Sequence, residues 1–198
     1  MNNHSVIVLT GGPGGGKSTL IEELSRDPVW RGRFAALPEA ISLMGGLGIS
    51  LREKRFQRVM VQMQLAMEDG LAHALGPEDQ RILLCHRGSL DPLAYWLDRG
   101  WPEQEFFEYT QATREEHYQR YAAVIHLVTA ADGAIEHYKK YPQAHRPETP
   151  QQAIHLGQLL QQVWDGHPRY FQIDNKGCDW SAKAQKARAI LAELYGEI

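Results

Sequence analysis

The residues best suited to chemistry are Gly11-Gly12-Pro13-Gly14-Gly15-Gly16-Lys17-Ser18-Thr19. Their spacing satisfies G-x-x-x-x-G-K-[ST], a glycine-rich run in which the backbone can curl so that successive N–H groups point inward at an anion. A helix beginning at the end of the run adds its partial positive charge. In that arrangement Lys17 reaches the outer phosphates of a nucleoside triphosphate and Ser18 ligates Mg2+. Gly12, Pro13, Gly14, Gly15, Gly16, Lys17, Ser18 and Thr19 are therefore the candidate nucleotide-binding residues, and Ser18 is the candidate metal ligand.

Three further polar clusters stand where apolar runs end: Pro38-Glu39-Ala40, His86-Arg87-Gly88-Ser89-Leu90-Asp91, and Asp174-Asn175. Glu39 directly follows an apolar run, where a carboxylate could accept a hydroxyl proton as a general base. Arg87 carries the planar fork that could clamp phosphate or substrate. Asp91 precedes Pro92, the pattern of a helix N-cap, and is also a candidate substrate or metal contact. Asp174 and Asn175 are candidate base contacts, although a turn and helix entry would use the same dipeptide. His86 reads as a neutral polar residue facing the phosphate end. An imidazole is a poor ligand for Mg2+, and no second ligand lies at metal spacing in the sequence.

The elements that must position these residues follow from the apolar pattern. Val6 to Leu9 is a continuous apolar run, as expected of a strand covered on both faces, and Phe34 to Leu37, Ile82 to Cys85, Ala123 to Val128 and Tyr170 to Ile173 are further strands. Helical spacing occupies the stretch after the glycine run, about 51 to 75, about 91 to 118 with a break at Pro102, then 131 to 140, 150 to 165 and 181 to 195. Alternation of five strands with helices predicts an α/β three-layer sandwich, a five-stranded parallel sheet with helices on both faces. Open sheets of this kind bind ligands at the carboxyl ends of their strands. Gly45-Gly46-Leu47-Gly48 reads as a loop able to gate an acceptor pocket. Arg114 and Arg120 read as surface cations paired with Glu115 or Glu116.

Composition removes several alternatives. The 198 residues suit one domain. With 21 Lys+Arg against 24 Asp+Glu, the formal charge of -3 provides no global basic field for nucleic acid. No apolar run approaches the length of a membrane span. Cys85 and Cys178, outside any paired motif, read as buried small hydrophobes of a reducing compartment, and the expected location is cytoplasmic.

The ordered set of motifs resembles the small P-loop family that includes the nicotinamide riboside kinase domain of bacterial NAD regulators and a set of animal ATP/GTP-binding proteins. The resemblance runs nearly end to end. It rests on L-T-G-G-P-G-G-G-K-S-T, on P-E-A, on H-R-G-S-L-D-P-L-A-Y where the family has D-R-G-x-x-D-x-x-A-Y, on Arg146-Pro147-Glu148, on Trp164-Asp165-Gly166-His167-Pro168, and on Ile173-Asp174-Asn175. It implies a P-loop NTPase fold of the nucleoside-kinase kind over 1–198, with a helical lid insertion over 131–168. It also implies ATP or GTP with Mg2+ as cofactors, a small-molecule acceptor as partner, and Lys17, Glu39, Arg87, Asp91 and Arg146 as the catalytic set. Arg146, within the family's R-x-E, is the cation expected to meet the transferred phosphoryl. His86 departs from the family's acid, so either Glu39 or Asp91 takes over its task or turnover is weak. A Mg2+-dependent small-molecule kinase is the leading expectation. The alternative is a nucleotide-binding regulatory module or switch with weak NTPase activity.

Overall fold

The computed structural model describes residues 5–44, 50, 52–140, 148–177 and 179–196. Arg146, Cys178 and the Gly45-Gly46-Leu47-Gly48 stretch lie outside the described residues. Five strands form one sheet: β1 (Val6–Thr10), β2 (Phe34–Leu37), β3 (Ile82–His86), β4 (Ala123–Leu127) and β5 (Tyr170–Ile173). All neighbouring pairs are parallel, in the order β2-β3-β1-β4-β5. The central strand β1 thus lies between β3 and β4, with Leu9 opposite His86 and Thr10 opposite His126.

The helices are α1 (Lys17–Arg26), α2 (Ala40–Leu43), α3 (Lys54–Leu75), α4 (Asp91–Asp98), α5 (Glu103–Thr110), α6 (Arg114–Gln119), α7 (Ile135–Lys140), α8 (Pro150–Trp164) and α9 (Trp180–Gly196). Period-two alternation sends neighbouring strand residues to opposite faces, and here both faces are covered. Val6, Val8, Leu83, Cys85 and Val124 pack with Val61 of α3, Trp96 of α4, Phe106 of α5 and Leu160 of α8. Ile7, Leu9, Leu84, Ile125 and Leu127 face Leu20 and Leu24 of α1 and Ala187 and Leu191 of α9. Cys85 is fully buried, as expected of a small hydrophobe, and burial pushes its thiol pKa up.

The single interrupted helix expected over 91 to 118 is three helices. Pro102 starts α5, Gln111 ends it in the left-handed region at φ 52°, and Thr113 opens α6 with a capping box to Glu116. Each side-chain cap satisfies an N-terminal N–H that a continuous helix would have bonded internally. Thr149 and Gln152 form the same box at the start of α8, with Pro150 in its first turn. Among the described residues no helix is long and apolar enough to cross a membrane.

Trp96 anchors the α4 side of the core, packing edge-on against Trp101 and Phe106 at 5.1 and 5.9 Å and donating its indole N–H to Pro102 O at 2.8 Å. Trp96→Ala should cost about 3–5 kcal/mol of unfolding free energy through the cavity and the orphaned carbonyl, measurable by urea denaturation.

Candidate active site

The glycine run joins β1 to α1 at the carboxyl edge of the sheet, and its path is dictated by close approach. Gly11 has φ +125°, and a Cβ there would stand 2.1 Å from Leu127 O, so only glycine lets β1 leave the sheet beside β4. A Cβ on Gly12 would lie 2.8 Å from Ala153 O, which allows α8 to sit directly on the loop. The loop tip is held by Thr129, whose hydroxyl donates to Pro13 O, and by Ala130 N donating to Gly14 O at 3.1 Å. The Tyr138 ring packs at Gly14 and the Trp180 ring at Gly16. Lys17 is 5% exposed, and its ammonium curls back to donate to Gly11 O at 2.7 Å and Gly12 O at 3.2 Å. This places its charge inside the loop that it would share with phosphates.

Beside the loop, three of the residues singled out from the sequence meet. Arg87 donates from Nε to Glu39 Oε1 at 2.6 Å and from Nη1 to Asp91 Oδ1 at 3.1 Å. Its backbone is left-handed, φ 80°, uncommon for a side chain of this size, and its carbonyl accepts from Gln64 Nε2 at 2.9 Å. Asp91 is 1% exposed and also accepts from Thr10 Oγ1, Gly88 N and Trp164 Nε1 at 2.8, 3.0 and 3.1 Å. It is not the helix N-cap expected from Asp-Pro. Leu90 holds that position, and the carboxylate turns inward to serve four donors. Glu39 precedes α2 as its N-cap, with no side-chain capping bond, so its carboxylate is available to Arg87.

Burial opposes ionisation of Glu39, but the charges of Arg87 and Lys17 outweigh it and hold its pKa down at about 2. His86 is pushed down to about 3, first by burial and then by the Lys17 ammonium. Its Nε2 lies 2.9 Å from Ser18 Oγ and its Nδ1 lies 3.9 Å from Glu39 Oε2. The described residues contain no group of three side chains able to hold a metal ion. Mg2+ would find one hydroxyl oxygen, Ser18, with an imidazole nitrogen beside it. Arg87 holds Glu39 Oε1 and Asp91 Oδ1, and Glu39 Oε2 stands 3.9 Å from His86 Nδ1, so Mg2+ at Ser18 would draw most of its oxygens from phosphate and water.

At the end of β5, Asn175 is 8% exposed and donates to Thr129 O and Asp132 O at 2.7 and 2.6 Å. Lys183 of α9 donates to Asn175 Oδ1 at 2.9 Å and to Val128 O. The Asn175 amide thereby ties the loops after β4 and β5 together, while Asp174 accepts from Lys176 N. Sequence reading missed Thr10, Gln64 and Lys183. Lys183 carried a signal: it shares the inward stripe of Ala187 and Leu191, where a cation needs a buried partner. The expected pairing of Arg114 and Arg120 with Glu115 or Glu116 is also corrected. Arg114 pairs with Glu103, and Arg120 with Glu68 and Asp69, because packing of α6 presents those carboxylates across the fold.

Burial holds the imidazoles of His86 and His126 neutral down to about 3 and that of His117 down to about 4, against an ordinary value of 6.5. Between these limits the unfolded chain binds more protons, so stability rises with pH across that window. Glu39, lowered from 4.5 to about 2, contributes stability that is present above 4.5 and lost as pH falls towards 2. The melting temperature should therefore fall as pH is lowered from about 6.5 to 3, with a shallower slope in His126→Asn. A flat wild-type profile by calorimetry would contradict this assignment.

Among known proteins, the family model described as AAA domain matches residues 6–183. No curated protein sequence is a significant relative. Solved structures share the fold at low identity. A deoxyadenosine kinase from M. mycoides with products dCMP and a flexible dCDP bound aligns with TM-score 0.64 and 16% identity, over 95% of this chain and 99% of that one. NadR protein in complex with NR aligns with TM-score 0.68 and 15% identity, over 98% of this chain and 51% of that one, so the chain spans about half of NadR's length. The deoxyadenosine kinase with bound dATP aligns with TM-score 0.57 and 15% identity, over 94% of this chain and 99% of that one. The chain belongs to the AAA domain family, and its α/β fold is that of small P-loop kinases.

Proposed function

We propose that the protein is an ATP-dependent kinase, with GTP as the alternative donor, acting on a hydroxyl of a nucleoside-like or other small polar metabolite. The observation that carries this reading is the Glu39–Arg87–Asp91 cluster, assembled from three separate stretches of chain beside a phosphate-binding loop. The P-loop N–H groups and Lys17 hold the triphosphate, and Ser18 meets the divalent ion that accompanies it. The acceptor oxygen forms its bond to the γ-phosphorus as the bond to the β-phosphate oxygen breaks, and the nucleoside diphosphate leaves. Glu39, ionised at neutral pH, accepts the hydroxyl hydrogen bond and orients the oxygen; with a pKa near 2 it contributes by positioning more than by pulling the proton away.

A cavity of about 210 Å3 lined by Met44, Arg55, Phe56 and Val59 offers a place for part of the acceptor. Met44 ends the helix that Glu39 begins, so one short turn separates the carboxylate from it. Of the stretch 131–168 expected as a lid, the part before α8 is the proposed movable cover, because Leu160, Val163 and Trp164 of α8 are buried in the core. Its Tyr138 ring packs at Gly14, and Arg146 is its proposed phosphoryl-binding cation. Asp174 and the backbone beside it are the proposed base contacts, with Asn175 holding the loop. The structural neighbours, a deoxyadenosine kinase with dCMP or dATP and NadR protein with NR, support the substrate class. Cytoplasmic location belongs to the same reading.

The second reading, a nucleotide-dependent switch, is favoured by one feature: His86, hydrogen-bonded to Ser18, stands where the resemblance drawn from the sequence implies a carboxylate.

Incubation with γ-phosphate-labelled ATP and a metabolite extract should transfer label to a small molecule, and Lys17→Ala should abolish transfer while retaining the fold by circular dichroism. Nucleotide binding without transfer in the wild type would favour the switch. Arg87→Lys removes the fork that spans Glu39 and Asp91, and turnover of the labelled acceptor should fall by about 100-fold, with little change in ATP affinity.

A further inference from the structure

The turn that carries Arg87 is held from beneath by a second buried carboxylate. Arg87 keeps a left-handed backbone, φ 80°, that a side chain of this size rarely adopts, and from it the guanidinium reaches Glu39 and Asp91. The peptide groups on either side of Gly88 are both tied to side chains. Gln64 Nε2 donates to Arg87 O at 2.9 Å, and Ser89 N donates to Tyr121 Oη at 2.7 Å. Both of those side chains end on Glu68: Gln64 Nε2 donates to its Oε1 at 2.8 Å, and Tyr121 Oη donates to the same oxygen at 2.9 Å. Glu68 is 2% exposed, one helical turn beyond Gln64 on α3, and its Oε2 accepts from Arg120 Nη2 at 3.1 Å.

The direction of each bond depends on that carboxylate. Paired with Arg120, Glu68 offers acceptors only, so the Gln64 amide turns its NH2 group towards it, and the second N–H of that group meets Arg87 O. The Tyr121 hydroxyl gives its single proton to Glu68, which leaves its oxygen to accept from Ser89 N. An amide in place of the carboxylate would turn an NH2 group on either Gln64 or Arg120, and a flipped Gln64 would set its oxygen against Arg87 O. We propose that Glu68 is the positioning residue for the Arg87 fork, acting through Gln64 and Tyr121. Its effect on turnover rests on the kinase reading of the Glu39–Arg87–Asp91 cluster, whereas its effect on Arg87 does not. Because α3 also supplies Phe56 and Val59 to the cavity proposed for the acceptor, one helix fixes both the fork and a wall of that cavity.

The test reads Arg87 directly and then through turnover. In 1H–15N spectra the Arg87 Nε–H, identified by its loss in Arg87→Lys, should exchange slowly with water in the wild type. In Glu68→Gln it should shift and exchange at least about tenfold faster. Tyr121→Phe, which keeps the ring edge-on to Trp164, should move it in the same direction. In Glu68→Gln, transfer of label from γ-phosphate-labelled ATP should fall by about tenfold or more in kcat with the KM for ATP unchanged, and the substitution should add nothing to the loss in Arg87→Lys. Should Glu68→Gln fail to fold by circular dichroism, Tyr121→Phe and Gln64→Met serve for the same readings. A lower melting temperature with the Arg87 signal unmoved, or losses of turnover that add in the double variant, would overturn the proposal. A wild type that transfers no label would overturn the kinase reading alone, because the Arg87 signal still decides the positioning role.

Discussion

The Asp91 carboxylate is a charge sealed beneath the site, and four donors from different parts of the fold converge on it. Thr10 comes from the end of β1, Arg87 and Gly88 from the turn after β3, and Trp164 from the last residue of α8. An isolated buried carboxylate is costly, and removing a partner from a buried ion pair commonly costs about 3–5 kcal/mol, so the arrangement is stable only when all these elements are in register. Arg87 adopts a left-handed backbone and donates its Nε–H to Glu39. The site's geometry thus follows from satisfying one buried charge.

The glycine loop is constrained in the complementary way, by lack of space. Gly11 and Gly12 lie against main-chain carbonyls of β4 and α8, while Thr129 and Ala130 hold the tip from the β4 side. Lys183 and Asn175 then clamp the β4 loop to the end of β5. The loop is therefore held from both flanks, the condition under which oriented N–H groups can meet an anion without reorganisation. His86 lies between the two constraints, touching Ser18 on one side and facing Glu39 on the other.

Much of this was legible in the sequence because it is written in local patterns. The five strands were marked by apolar runs, of which β1, β3 and β4 are buried throughout, and the glycine loop by spacing suited to a strand-to-helix turn. Glu39, Arg87 and Asp91 were marked by their places after strands. Two local signals misled: Asp-Pro suggested a cap at Asp91, and charge proximity along the chain suggested local pairs for Arg114 and Arg120. Both failed for one reason, since a buried or packed side chain answers to the elements around it more strongly than to its neighbours in sequence.

By itself the sequence determined the order of strands and helices, the glycine loop and the chemical types available at the strand ends, because periodicity and turn geometry act over a few residues. Only the tertiary structure decided which of those groups meet: that Arg87 bridges Glu39 and Asp91, that Thr10 and Trp164 complete the carboxylate's partners, and that Ser18 faces an imidazole. Those contacts span 48 to 81 positions for Glu39–Arg87, Ser18–His86, Trp164–Asp91 and Thr10–Asp91, and they arise because parallel strands gather their carboxyl ends at one edge.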